Sequence, residues 1–156
     1  MSMQRKIISV EVINEHGVLA RIAGLFAGRG YNIETLTVAP LPDSNLSRIT
    51  IETYGNKKVL EQIVKQLNRL ISVMRVVEHD DMIEKEMAIV RVPVSESLSD
   101  LDALARAYNG RIVNVGKDYI IAMAADKPER IEDFLKAARR FDPNEMVKSG
   151  IVALER

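Results

Sequence analysis

Residues 8–30 read ISVEVINEHGVLARIAGLFAGRG, and the fold depends on how this run divides. Ile8, Val10 and Val12 alternate with Ser9, Glu11 and Ile13, the period-two pattern of a strand with one strongly apolar face. Asn14-Glu15-His16-Gly17 then breaks the alternation as a turn. From Val18 on, Leu19, Ile22, Ala23, Leu25 and Phe26 recur at helical spacing until Gly28-Arg29-Gly30 supplies the stop. A strand passed through a tight turn into an apolar-faced helix is the opening of a β-α-β unit.

Downstream, Ile33 to Ala39 and Leu46 to Tyr54 are β-rich runs separated by Pro40-Leu41-Pro42-Asp43-Ser44-Asn45, a hairpin. Val59, Ile63, Val64, Leu67 and Leu70 make a second amphipathic helix, and Val73 to Val77 a last strand. The order is β-α-β-β-α-β. After the charged stretch Glu78-His79-Asp80-Asp81 it starts again: a strand over Met87 to Val92 and a helix over Ser99 to Tyr108. A hairpin of Arg111 to Val115 and Tyr119 to Ala125 follows, then a helix over Pro128 to Arg140 with proline in its first turn, and a closing strand over Ile151 to Leu154. The fold class expected is α+β, two tandem ferredoxin-like βαββαβ sandwiches, with one domain over residues 1–80 and a second over 81–156.

The chain's 156 residues, 47% of them hydrophobic, can bury two small cores. Its 22 basic and 22 acidic side chains leave no net charge, so the electrostatic footprint that phosphate-backbone binding needs is missing and no nucleic-acid partner is expected. With no cysteine there is no disulfide frame, thiolate metal site or cysteine nucleophile. The segment from Met1 to Lys6 leads straight into a strand pattern without the apolar run of a signal peptide or membrane span, so a cytoplasmic protein with no membrane partner is expected.

The turn after the first strand is the best candidate site. It delivers the chain into a helix N-terminus, whose free N–H groups and positive dipole end suit a carboxylate. Gly17 lets a ligand approach its backbone, while Asn14 offers an acceptor for an ammonium group and an amide donor. Val18 and Leu19 can line a pocket for an aliphatic side chain. Asn32 and Ile33 add a second amide and a second apolar residue at the start of the next strand. Together these meet the needs of an amino acid. The same Asn-x-x-Gly spacing is also ordinary turn chemistry in which Asn14 caps the helix.

Ile13 to Phe26, followed by Arg29 to Pro40, resembles the ACT-domain signature of acetolactate (acetohydroxyacid) synthase small subunits. Ser47 to Ile51 and Glu61 to Leu70 continue the resemblance, and Arg91-Val92, Gly110 to Val115 and Lys148-Ser149-Gly150 extend it over the second half. His16 departs from the small polar residue usual in the turn, Ser149-Gly150 from the commoner Thr-Gly, and Ala122-Met123-Ala124-Ala125 lacks the acidic residue and glycine of the corresponding strand. The resemblance implies a non-catalytic regulatory subunit that acts in branched-chain amino-acid biosynthesis as an ACT-domain homodimer. Its effector, valine or a related branched-chain amino acid, would lie between two copies and touch Asn14, Gly17 and Asn32. It also implies a catalytic large subunit as partner, activated by this chain and feedback-inhibited through it. Thiamine diphosphate, Mg and FAD are expected on that partner and no cofactor or metal in this chain. An ACT-type sensor serving a different enzyme is the alternative.

Other features favour structural roles. Gly24, Gly28 and Gly30 end a helix and no Lys-Ser or Lys-Thr follows, so they are not a phosphate loop. His16 and His79 fall in different loops without a ligand-spaced partner, and Glu78, Asp80 and Asp81 are acids of a solvated linker. An acylphosphatase-like enzyme would need an arginine at the first turn, where Glu15 and His16 stand. An RNA-recognition module would carry aromatics on its central strands, and Ile8 to Val12 has none.

Overall fold

The computed structural model describes residues 2–78, 80–94 and 98–156. In the first unit β1 (Gln4–Ile13), α1 (Val18–Gly28), β2 (Ile33–Pro40), β3 (Leu46–Gly55), α2 (Lys57–Asn68) and β4 (Val73–Val77) build a four-stranded sheet of order β2-β3-β1-β4. The pairings of β1 with β3, β1 with β4 and β2 with β3 are all antiparallel. In the second, β5 (Met82–Pro93), α3 (Leu98–Ala107), β6 (Arg111–Val115), β7 (Tyr119–Asp126), α4 (Pro128–Ala138) and β8 (Glu145–Lys148) repeat the order as β6-β7-β5-β8, and β9 (Val152–Glu155) also pairs with β5. These are the two ferredoxin-like βαββαβ units expected.

The first core follows from the alternation in β1. Val10 lies opposite Ile49 and Ile8 opposite Ile51, and all four bury beneath Val18, Ile22 and Phe26 of α1 and Leu60, Ile63 and Leu67 of α2. Each helix trio sits at three- or four-residue spacing, one face of a 3.6-residue repeat. α1 ends in the pair of bonds typical of a left-handed C-terminal cap. Gly30, at φ 69°, donates its N–H to Ala27 O, and Tyr31 donates to Phe26 O. α2 starts at Asn56, whose side chain accepts from the Val59 N–H at 2.9 Å.

The other face of this sheet is polar and largely buried: Ser9 and Thr50 lie opposite each other and are 0% and 4% exposed. Next in register, Glu11 faces Arg48 on one side and Arg75 on the other. The chain's last residues are held here, with Arg48 Nη2 donating to Ala153 O and Arg75 Nη2 to Glu155 Oε1, both at 3.0 Å. By contacts, the residues through Ile83 group with Ala153–Arg156, and Glu84–Val152 form the second unit.

In that second unit Ala88, Val90, Ala122 and Ala124 of the sheet pack under Leu101, Ala105, Ile131, Phe134 and Ala138. Small residues in the central strands bring the helices close. At Gly110 the approach is closer still, since a Cβ there would fall 1.8 Å from the Met123 carbonyl oxygen.

Three boundaries differ from the sequence reading. β5 starts at Met82 rather than Met87, and β9 pairs with it, giving residues 82–86 a ladder to join. The fourth strand of the second sheet is Glu145–Lys148 rather than the expected Ile151–Leu154; that region instead holds β9 (Val152–Glu155), a further strand on β5. The final helix stops at Ala138, and Arg139–Phe141 form a 3-10 turn that ends at Asp142 in the left-handed region. Among the described residues no helix is long and apolar enough to cross a membrane.

Candidate functional site

The turn after β1 is pinned by backbone bonds. Ile13 N–H donates to Ser72 O at 3.0 Å, Asn14 N–H to Asn45 O at 2.9 Å and Glu15 N–H to Ile13 O at 2.8 Å. These leave Gly17 as the N-cap of α1, at φ 81° and ψ −1°, with no side-chain cap. The first intrahelical bond runs from Arg21 N–H to Gly17 O. The N–H groups of Val18, Leu19 and Ala20 therefore have no intrahelical acceptor, which makes this end of α1 a donor-rich, electropositive terminus. Asn14 is exposed and does not cap the helix, so its amide remains available to a ligand.

The apolar members of the site divide. Val18 is 4% exposed and belongs to the core, whereas Leu19 is 40% exposed. Ile33 is half-buried and packs against the same core. Asn32 is exposed; its Nδ2 lies 3.4 Å from Glu34 Oε2 and its carbonyl accepts from the Thr53 hydroxyl.

One chain does not unite these residues. Ile13 is level with Leu46 at one end of the sheet, while Ile33 is level with Thr53, and Thr53 with Lys6, at the other. The 11 residues of α1 separate them, about 16 Å at 1.5 Å per residue. An amino acid spans about a third of that distance. Asn14, Gly17 and Leu19 thus form one candidate half-site, and Asn32 and Ile33 another.

The surface between the half-sites is unusual for a helix facing water. Ala20, Gly24, Ala27 and Gly28 are exposed, and a Cβ on Gly24 or Gly28 would meet nothing within 4 Å. The one charged side chain of α1, Arg21, turns aside to Ser72 Oγ at 3.4 Å. β2 is an edge strand of the sheet, with Val38 41% exposed. A solvent-facing helix normally carries several charges on this side.

The linker acids have protein partners: Asp80 accepts from Lys6 Nζ at 3.0 Å and Asp81 from Arg156 Nε at 2.9 Å. His79 lies outside the described residues. In the second unit the buried carboxylate of Asp126 accepts from Arg130 Nε, from the Lys127 N–H at 2.8 Å and from Asn109 Nδ2 at 3.0 Å. Burial alone would raise its pKa. The hydrogen bonds from Arg130 and Lys127, with the charges of Arg130 and Lys85, outweigh burial and hold it below the usual aspartate range. Arg130 also donates to Ala107 O and lies over the Tyr108 ring, so this cluster ties the end of α3 to the start of α4. Sequence reading missed Asp126, because its partners come from three separate elements.

Residues 8–75 match the family model described as an AHAS small subunit-like ACT domain, and residues 85–156 match the model for the small subunit of acetolactate synthase. The chain is 40% identical over 156 residues to the acetolactate synthase small subunit of Buchnera aphidicola subsp. Schizaphis graminum, covering 97% of this chain and 99% of that one. It is also 40% identical to the acetolactate synthase isozyme 3 small subunit of Escherichia coli, covering 97% and 96%. Its structure superposes on the crystal structure of the acetolactate synthase small subunit from Thermotoga maritima with TM-score 0.89, at 30% identity and 98% coverage of both chains.

Proposed function

Because the chain belongs to the acetolactate synthase small-subunit family, we propose that it is a regulatory subunit whose homodimer binds valine and relays that binding to a catalytic large subunit. The observation that carries the reading is the split site. In this chain Gly17 and Asn32 lie at opposite ends of α1, yet each half-site offers only part of what an amino acid needs.

A two-fold axis across the β2 edge resolves this. Antiparallel apposition brings the start of one β2 beside the end of its partner, which is the end of the sheet where Gly17 lies. The bare strip of Ala20, Gly24, Ala27 and Gly28 would face its own copy, where small side chains allow close helix approach and apolar surface leaves water. Each ligand would then meet Gly17, Asn14 and Leu19 from one subunit and Asn32 and Ile33 from the other. Its carboxylate suits the free N–H groups of α1, its ammonium the amide oxygens of the asparagines, and its branched chain Leu19 and Ile33. Val18 supports the turn from beneath.

Regulation requires that valine favour one arrangement of the complex over another. A ligand seated between subunits meets that requirement, since its contacts exist only when both half-sites are in register. Catalysis, with thiamine diphosphate, Mg and FAD, is assigned to the large subunit.

Light scattering and calorimetry test this together. The purified chain should be a dimer that binds valine, leucine and isoleucine with affinities differing by about 1–3 kcal/mol per methylene. Gly24→Asp, which puts a charge on the strip, should give a folded monomer that has lost valine binding. A monomeric variant that binds valine with the wild-type affinity would overturn the shared site.

A further inference from the structure

Lys58, Gln62, Lys65 and Arg69 repeat at four- and three-residue spacing along α2, so they form one stripe opposite the buried face of Leu60, Ile63 and Leu67. All four are exposed. Among the described residues none of the three cations takes part in an ion pair. The contrast is α4, where Lys136 pairs with Glu132 at 3.3 Å one turn away and Arg130 with Asp126. Just beyond the stripe the chain turns tightly, with Leu70 N–H on Leu67 O and Val73 N–H on Leu70 O, and this turn holds Ile71 93% exposed with Met74 59% exposed beside it. A large aliphatic side chain presented on a hydrogen-bonded turn, at the end of an unpaired row of cations, has the make-up of an interface anchor with a charged rim.

We propose that the α2 stripe and the Ile71 knob are the surface on which the catalytic subunit docks, through an apolar socket bordered by carboxylates. The inference rests on the regulatory role proposed above and names the surface that serves it. Charge complementarity selects the occupant. A second copy of this chain would bring the same unpaired cations against themselves, which is repulsive, and β4 beside this turn is the edge of the sheet opposite β2.

The same turn is bonded to the effector turn. Ser72 O accepts from Ile13 N–H, one residue before Asn14, and Ser72 Oγ from Arg21 Nη1 on the first turns of α1. Ser72 is 5% exposed, so a displacement at Asn14–Gly17 would reach the backbone that carries Ile71 through these bonds. A ligand at one surface thus biases the other through one shared residue.

The test is reconstitution of the full-length chain with the acetolactate synthase catalytic subunit of the same organism, following activation against chain concentration. The wild-type midpoint should weaken as salt rises from roughly 0.05 to 0.5 M, because rim charges are screened. Ile71→Asp should shift the midpoint at least about tenfold, within the range of anchor losses. The charge-reversed Lys58→Glu, Lys65→Glu, Arg69→Glu chain should do the same and lose its salt dependence. Each variant should keep the wild-type circular dichroism and, as an isolated chain, the wild-type valine affinity. Wild-type midpoints and salt slopes in both variants would overturn the docking surface alone. A wild-type chain that neither activates nor co-elutes with the catalytic subunit would overturn the regulatory role, and this surface with it.

Discussion

Replacing Gly17 by aspartate separates binding at the effector turn from folding. A Cβ at Gly17 meets nothing within 4 Å, so the new side chain has room. The backbone, however, sits at φ 81°. Left-handed backbone costs an L-residue about 1–2 kcal/mol, less for aspartate than for most, and the carboxylate is itself welcome at a helix N-terminus. α1 should therefore form, with its first unit slightly destabilised. Binding fares worse, because the aspartate occupies the N–H groups proposed for the ligand carboxylate and repels it. Losing one charge-assisted hydrogen bond costs about 1.5–3 kcal/mol, or about 10- to 150-fold in affinity at 1.4 kcal/mol per decade, and repulsion adds to this. Gly17→Ala is the control, sharing the strained backbone and the added Cβ but not the charge, and should weaken binding less than Gly17→Asp. Asn32→Ala should weaken binding less than Gly17→Asp. The assay is valine titration of the reconstituted complex, with circular dichroism to verify folding. A folded Gly17→Asp chain inhibited at the wild-type valine concentration would refute the placement of the carboxylate at this turn.

Three further outcomes follow from the packing. Gly110→Ala puts a methyl 1.8 Å from the Met123 carbonyl, so denaturant unfolding should show a loss of at least the about 1–3 kcal/mol typical of overpacking. Asp126→Asn should lower stability at neutral pH by about 1.5–3 kcal/mol, the range for hydrogen bonds to a charged group. The folded carboxyl titrates below its unfolded value of about 3.9. Its contribution is therefore complete above that pH and is lost as pH falls through the lower folded value, so wild type and variant should converge in melting temperature below about pH 4. A fragment ending at Ile83 should fold on its own core, yet melt at a lower temperature than the first unit in the full chain. Without Ala153–Arg156, Arg48 and Arg75 lose the partners they have at Ala153 and Glu155.

The elements of the first unit were legible because local patterns and tertiary packing agree there. Ile8, Val10 and Val12 bury as their alternation requires, and Asn56 and Gly30 cap where sequence chemistry places such residues. The end of the second unit was not, because β8, Glu-Met-Val-Lys, has little apolar character and is a strand only because β5 supplies its hydrogen bonds. For the same reason residues 82–86, the start of β5, did not read as strand. At the candidate site, sequence shows which residues offer amide and apolar groups but not how they are placed. That Val18 turns inward, while Asn32 lies a helix length from Gly17, depends on register and topology, which no local pattern encodes.

The most direct test of the regulatory role is the rate of acetolactate formation by the purified catalytic subunit, measured with and without this chain and with and without valine. The chain alone should give no product; added to the catalytic subunit it should raise the rate, and valine should then lower it only when the chain is present. A rate unaffected by the chain, or valine inhibition that is the same without it, would contradict the account.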